Sequence, residues 1–143
     1  MPAPATFSHT VGQKYGHLLY GESRVGRHIV CITFDFDALS GWIARGMATP
    51  TPISRGEFGP NVALPRILAL LRKYDVPASW FIPGHTLETY PEQCRQVCAA
   101  GHEIGHHGWT HRPPASLSRE QEEGELTRAN EQIWKLSGRG ARG

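Results

Sequence analysis

The sequence has no long apolar run, no excess of one charge sign and few cysteines, and each lack removes a class of function. Its longest uninterrupted apolar stretch is Ile67 to Leu71, far short of the roughly 20 residues that cross a bilayer. The first twenty residues show no basic segment followed by an apolar stretch and a small-residue cleavage pattern, so no secretory signal is expected. Fifteen Lys and Arg against 13 Asp and Glu leave a formal charge of +2. No basic run of five or more tracks a phosphate backbone, which argues against nucleic-acid binding. The three cysteines cannot all pair. Cys94 and Cys98 stand four apart on an expected helix, and Cys31 lies in an apolar strand, so reduced thiols in a cytoplasmic protein are expected. The 143 residues with 39% hydrophobic content suffice for one domain with a core, and too few remain for a second.

Strand and helix patterns alternate in what is present. His28 to Phe34 is a continuous β-branched apolar run, as in a parallel strand covered on both faces, and it ends on Asp35. Ala38 to Pro60 is rich in Gly, Pro, Ser and Thr, has no helical period and reads as a long loop walling a site. Leu64, Ile67, Leu68 and Leu71 then recur at helical spacing over Val62 to Tyr74, with Asn61 available as N-cap and Pro65 in the first turn. Pro77 to Ile82 is a second strand, Tyr90 to Ala100 a helix stopped by Gly101, and His102 to His106 a third strand. Ser118 to Leu136 is a surface helix with a Ser118–Gln121 capping pattern, closed by Gly138. The order βαβαβα predicts an α/β fold with parallel strands and right-handed crossovers, doubly wound or closing into a barrel. Both architectures put chemistry at the carboxyl ends of the strands.

Two clusters fall at such ends. Asp35 and Asp37 flank Phe36 at the mouth of the first strand, where two neighbouring carboxylates repel unless a cation lies beside them. Alternatively they cap a strand end. The segment His102-Glu103-Ile104-Gly105-His106-His107-Gly108-Trp109-Thr110-His111 holds four of the eight histidines. His107 and His111 have the H-x3-H spacing that lets two imidazoles approach one ion. His102 and His106 share that spacing, and spacing alone does not choose. Placement favours His107 and His111, which lie just beyond the third strand, and leaves His106 as a supporting or packing histidine. A zinc-protease reading of His102-Glu103-Ile104-Gly105-His106 would need Gly105 inside a helix. One carboxylate and two imidazoles would leave coordination positions open for water and substrate, as in a hydrolytic centre, with the spare carboxylate taking a proton.

These residues resemble the polysaccharide deacetylases of the NodB-homology type, carbohydrate esterase family 4. Thr33-Phe34-Asp35-Phe36-Asp37 is similar to the first family motif, T-F-D-D, with one residue between the acids. Gly101 to His111 is similar to the second, an H-x-x-x-H loop preceded by G-H-E-I-G. The resemblance implies a distorted (β/α) barrel, Asp35 as catalytic base, and Asp37, His107 and His111 as ligands of a divalent metal, Zn2+ being the expected ion. The spaced acids and the loop with Trp42 and Arg55 to Gly59 look most like a cytoplasmic branch of peptidoglycan-deacetylase, allantoinase-like and cyclic-imide-hydrolysing relatives. The implied reaction is hydrolysis of a non-peptide carbon–nitrogen bond, by N-deacetylation of an amino sugar or polysaccharide. The alternatives are hydrolysis of a small cyclic amide or imide and an inactive metal- or carbohydrate-binding fragment. Trp42 and Trp109, as loop aromatics, are candidates to stack on sugar, whereas Trp80 belongs to the core. The family's third and fourth motifs and its late catalytic histidine lie downstream of the second motif. The resemblance therefore divides the chain into an extension, 1–27, and a partial deacetylase domain, 28–143, truncated at its C-terminus; Arg142 is not expected to serve as the family's orienting arginine. A homo-oligomer is compatible with this reading.

Overall fold

The computed structural model describes residues 28–141. The expected N-terminal extension and Arg142 lie outside the described residues.

Three parallel strands form the sheet: β1 (Thr33–Asp35), β2 (Ser79–Ile82) and β3 (Glu103–His106), in the order β1-β2-β3. The register pairs Asp35 with Phe81 and Ile82 with His106. Because the strands are parallel, the residues after Asp35, Ile82 and His106 all emerge at one end of the sheet. β1 is shorter than the run from His28 suggests. β2 begins only at Ser79, whose N–H donates to Ile32 O at 3.1 Å; upstream lies Pro77, which has no N–H for a ladder. Nor is β1 covered on both faces, since Thr33 and Asp35 are exposed and only Phe34 is half-buried.

β2 is the central strand and supplies the core. Trp80 and Ile82 point to one side at 2% and 0% exposure. Trp80 meets Phe34 at 4.6 Å between ring centroids and Phe36 edge-on at 6.2 Å. Leu64, Leu71, Val97, Ile104 and Ile133 close around them. Fully burying each such aliphatic side chain is worth about 1.5–3 kcal/mol, so the alternating pattern of β2 anchors the helices around it.

The segment expected as a loop, Ala38 to Pro60, is helical. It contains α1 (Ser40–Ala44) and α2 (Pro50–Phe58) and enters a π-helical turn, Gly59–Ala63, which leads directly into α3 (Leu64–Tyr74). Pro50 sits in the first turn of α2, where its missing N–H costs nothing. The π turn absorbs Pro60 by bonding Leu64 N–H five residues back to Gly59 O. Gly56 is buried against Leu39 and the Ala38 carbonyl; any side chain there would push the helix off the strand end. Asn61 is therefore not the N-cap of a separate helix. It lies within the π turn and donates to Glu57 Oε2 at 2.7 Å.

A short helix that the sequence pattern did not suggest, α4 (Gly84–Thr89), follows β2 and precedes α5 (Pro91–Ala99). After β3 comes α6 (Arg119–Ser137), with both bonds of the Ser118–Gln121 capping box formed and Gly138 closing it in the left-handed conformation. No helix among the described residues is long and apolar enough to cross a membrane.

Candidate metal centre

Asp37 lies two residues beyond β1, and its main chain is gripped from two sides. Its carbonyl accepts from Ser40 N–H at 2.9 Å, from Ser40 Oγ at 2.7 Å and from Thr86 Oγ1 on α4 at 2.7 Å. Both hydroxyl residues are fully buried, so these bonds are shielded from water and fix where the carboxylate points. Ala38 takes a left-handed φ of 49° to make the turn.

His107 follows β3 directly, and His111 returns to it after the three residues Gly108, Trp109 and Thr110. His107 Nε2 stands 3.4 Å from Asp37 Oδ1, and His111 Nε2 stands 3.5 Å from Asp37 Oδ2. The imidazoles meet edge to face with centroids 4.7 Å apart. All three candidate ligand atoms lie within 4.8 Å of one another. Donors about 2.0–2.1 Å from one tetrahedral ion stand about 3.4 Å apart; each imidazole is at that distance from one oxygen of the Asp37 carboxylate. Asp37 Oδ1 and His107 Nε2 are buried without a hydrogen-bond partner, the deficit a cation would remove. The residues present thus fit a divalent ion, and an oxygen and two imidazole nitrogens suit zinc.

The turn between the histidines is pinned on several sides. Gly84 N–H and His85 N–H, at the start of α4, donate to Gly108 O at 3.0 Å and Trp109 O at 2.9 Å. Trp109 N–H donates to Glu125 Oε2 on α6 at 3.3 Å, and the same carboxylate takes Arg112 in an ion pair at 2.5 Å. Gly108 adopts φ 67° and His111 φ 61°, left-handed values that cost a non-glycine residue unless its surroundings hold it. Beside His107 and His111 opens a cleft of about 380 Å³, walled by Pro113, Leu117, Glu122 and Leu126.

Of the residues singled out in the sequence, Asp37, His107 and His111 converge, whereas Asp35 lies at the exposed end of β1 outside this group. His102 opens β3's approach from the opposite end of the sheet. Trp42 is half-buried on α1. Trp109 is not an open loop aromatic: it is 7% exposed, and the Arg128 guanidinium lies 3.4 Å from its ring centroid. Thr86, Glu125 and Arg128 carry no motif; they reach the site only through the crossing of α4 and α6.

The chain matches the polysaccharide deacetylase family over residues 23–143 and belongs to it. It is 42% identical to the peptidoglycan deacetylase of Helicobacter pylori over 117 residues, which cover 80% of this chain and 40% of that protein. A solved polysaccharide-deacetylase-type structure from Mycobacterium smegmatis superposes with a TM-score of 0.73 at 34% identity, covering 78% of this chain and 40% of that one. An allantoinase structure shares the fold, with a TM-score of 0.69 at 22% identity over 78% of this chain and 43% of the allantoinase. The chain thus spans about 40% of the length of these relatives, and its three parallel strands correspond to the N-terminal portion of the family's (β/α) barrel.

Proposed function

We propose that this chain carries the metal-binding part of a deacetylase that hydrolyses the N-acetyl group of an amino-sugar polymer. The observation that carries the proposal is the convergence of Asp37, His107 and His111 within 4.8 Å at the carboxyl end of the sheet. A peptidoglycan deacetylase at 42% identity supports an amino-sugar substrate. Asp37, His107 and His111 would hold the divalent ion, with Zn2+ the best match to the donor set. Such an ion polarises an amide carbonyl and lowers the pKa of water toward neutrality.

The chain's own residues divide the remaining work. Asp35 is exposed at the end of β1, two residues before Asp37, and serves as the proton acceptor during attack. Ser40 and Thr86 keep the Asp37 backbone in place, so the carboxylate need not reorganise as charge develops. The half-buried Trp42 on α1 offers an aromatic edge to a sugar ring. The free thiols of Cys31, Cys94 and Cys98 suit a reducing compartment, which supports action in the cytoplasm.

Acetate release from N-acetylglucosamine oligomers, with zinc present and after chelation, tests this reading. The expected result is zinc uptake by the chain and acetate release that chelation and Asp37→Asn both abolish. Hydrolysis of a cyclic imide or of allantoin without acetate release would replace it with the small-amide alternative. Zinc uptake with neither reaction would leave a binding fragment.

A further inference from the structure

The two candidate histidine ligands stand on a loop, and a loop holds its shape only if something outside it does. The α4 N–H groups of Gly84 and His85 fasten one side of the turn through the carbonyls of Gly108 and Trp109. The other side is fastened by His106. Gly108 N–H donates to His106 Nδ1 at 3.0 Å, and His106 Nε2 lies 3.1 Å from the main-chain carbonyl of Leu126, in the middle of α6.

These two contacts define the state of the ring. An amide N–H can only donate, so Nδ1 accepts and carries no proton; the proton sits on Nε2 and is given to Leu126 O. A helical carbonyl has a second lone pair free for such a donor. Both nitrogens are thereby occupied, which separates His106 from the ligand set despite its H-x3-H spacing from His102. The ring is also mounted on a rigid base, since His106 is the last residue of β3 and pairs with Ile82 in the ladder.

We propose that His106 is a positioning residue for the metal centre. Through Nδ1 it holds the Gly108 N–H of the turn carrying His107 and His111 and so presets both imidazoles toward Asp37, while the contact of Nε2 with Leu126 O fixes the tautomer that leaves Nδ1 free to accept. The inference rests on the metal-binding reading above and adds a residue to it. The mechanical logic follows from the backbone: Gly108 is the residue next to His107 and already sits at φ 67°. Freeing its N–H lets the peptide between His107 and Gly108 rotate, and His107 Nε2 leaves its place 3.4 Å from Asp37 Oδ1. Groups that orient ligands in this way typically govern metal affinity by about 10- to 100-fold.

The test uses the full chain with Co2+ as probe, because its visible absorption reports ligand number and geometry. Wild type, His106→Leu and His106→Asn are titrated against a competing chelator, and their metal-free forms are melted. The Leu variant removes both bonds. The Asn variant keeps an oxygen close to the place of Nδ1 and so keeps the acceptor for Gly108 N–H. Weakening of Co2+ binding by about 10- to 100-fold in His106→Leu, with recovery to within about threefold in His106→Asn, supports the assignment. Wild-type affinity and an unchanged spectrum in His106→Leu would overturn it while leaving the metal centre standing. Equal weakening in both variants, matched by equal losses of metal-free melting temperature, would also overturn it, because His106 would then act by packing alone. Failure of the wild-type chain to bind Co2+ or Zn2+ would remove the metal centre itself.

Discussion

The indole of Trp109 lies across Gly84 so closely that the ring occupies the place a β-carbon on Gly84 would need. Gly84 does not adopt an unusual φ; it is required because the ring is there. The same two residues join the hydrogen-bonded seam through which α4 supports the turn between His107 and His111. Packing and ligand placement therefore share one contact.

Gly84→Ala follows from that contact. The methyl group meets Trp109 on one side and the Ala129 β-carbon, 3.1 Å away, on the other, so relief must come from movement of the indole. Overpacking of this kind costs about 1–3 kcal/mol. The expected outcome is a lower urea midpoint together with weaker zinc binding, since Trp109 O is held by His85 N–H. Loss of stability with unchanged zinc affinity would show that the seam does not transmit to the turn.

The proposed metal-ligand set predicts a stability effect that needs no turnover. A ligand that binds only the folded state at about 100 times its dissociation constant adds about 2.7 kcal/mol. Thermal melts with and without zinc are expected to show that gain in the wild type and none in Asp37→Asn or His107→Ala. A zinc-dependent rise that survives Asp37→Asn would place the ion elsewhere.

How far the sequence anticipates this structure depends on whether the signal is local. The short apolar run from Pro77 to Ile82, the helical spacing of Leu64 and Leu71, and the Ser118–Gln121 box are local, and each predicts the element found. Asp37, His107 and His111 stand out in the sequence because motif and strand end coincide. The failures are tertiary. Pro50, Gly56, Gly59 and Pro60 look like helix breakers, yet Pro50 occupies a first turn, Gly56 is needed for contact with Leu39, and a π turn accommodates Pro60. Trp109 looks like a free loop aromatic because nothing nearby in sequence announces Arg128, nineteen residues away in the chain and stacked on its face. The first strand looks buried because apolar content reports what a residue prefers and not what neighbours are present.

The π turn carries its own prediction. Glu57 spends one carboxylate oxygen on Asn61 and the other on Tyr90 Oη, at 2.7 and 2.5 Å, joining the α2–α3 junction to the start of α5. Burial raises the Tyr90 phenol above its ordinary value, and the hydrogen bond to Glu57 and its charge add to the rise. A pKa raised in the folded state means stability that is complete below about pH 10 and is lost as pH climbs further. Tyr90→Phe is expected to cost about 1.5–3 kcal/mol at neutral pH and to flatten the alkaline loss. Denaturation of both proteins at pH 8, 10 and 11 checks it, and parallel curves would dismiss the clamp.

His102 supplies an acid-side counterpart away from the candidate metal centre. Its Nδ1 is buried without a partner, its ring lies 6.2 Å from that of Trp80, and desolvation lowers its pKa from the ordinary 6.5. The unfolded chain therefore binds a proton more readily than the folded one. Stability is unaffected by this group above about pH 6.5, and falls as pH drops through that value toward the lower folded one. His102→Gln removes the titration while keeping a polar side chain. The expected outcome is a variant whose urea midpoint falls less steeply than wild type between about pH 6.5 and 5. Because His102 opens β3 from the end opposite His107, its zinc affinity at pH 7.5 should match wild type. Equal acid sensitivity in the two proteins would mean that protonated His102 finds solvent in the folded state, and that the desolvation inferred from its buried nitrogen does not operate.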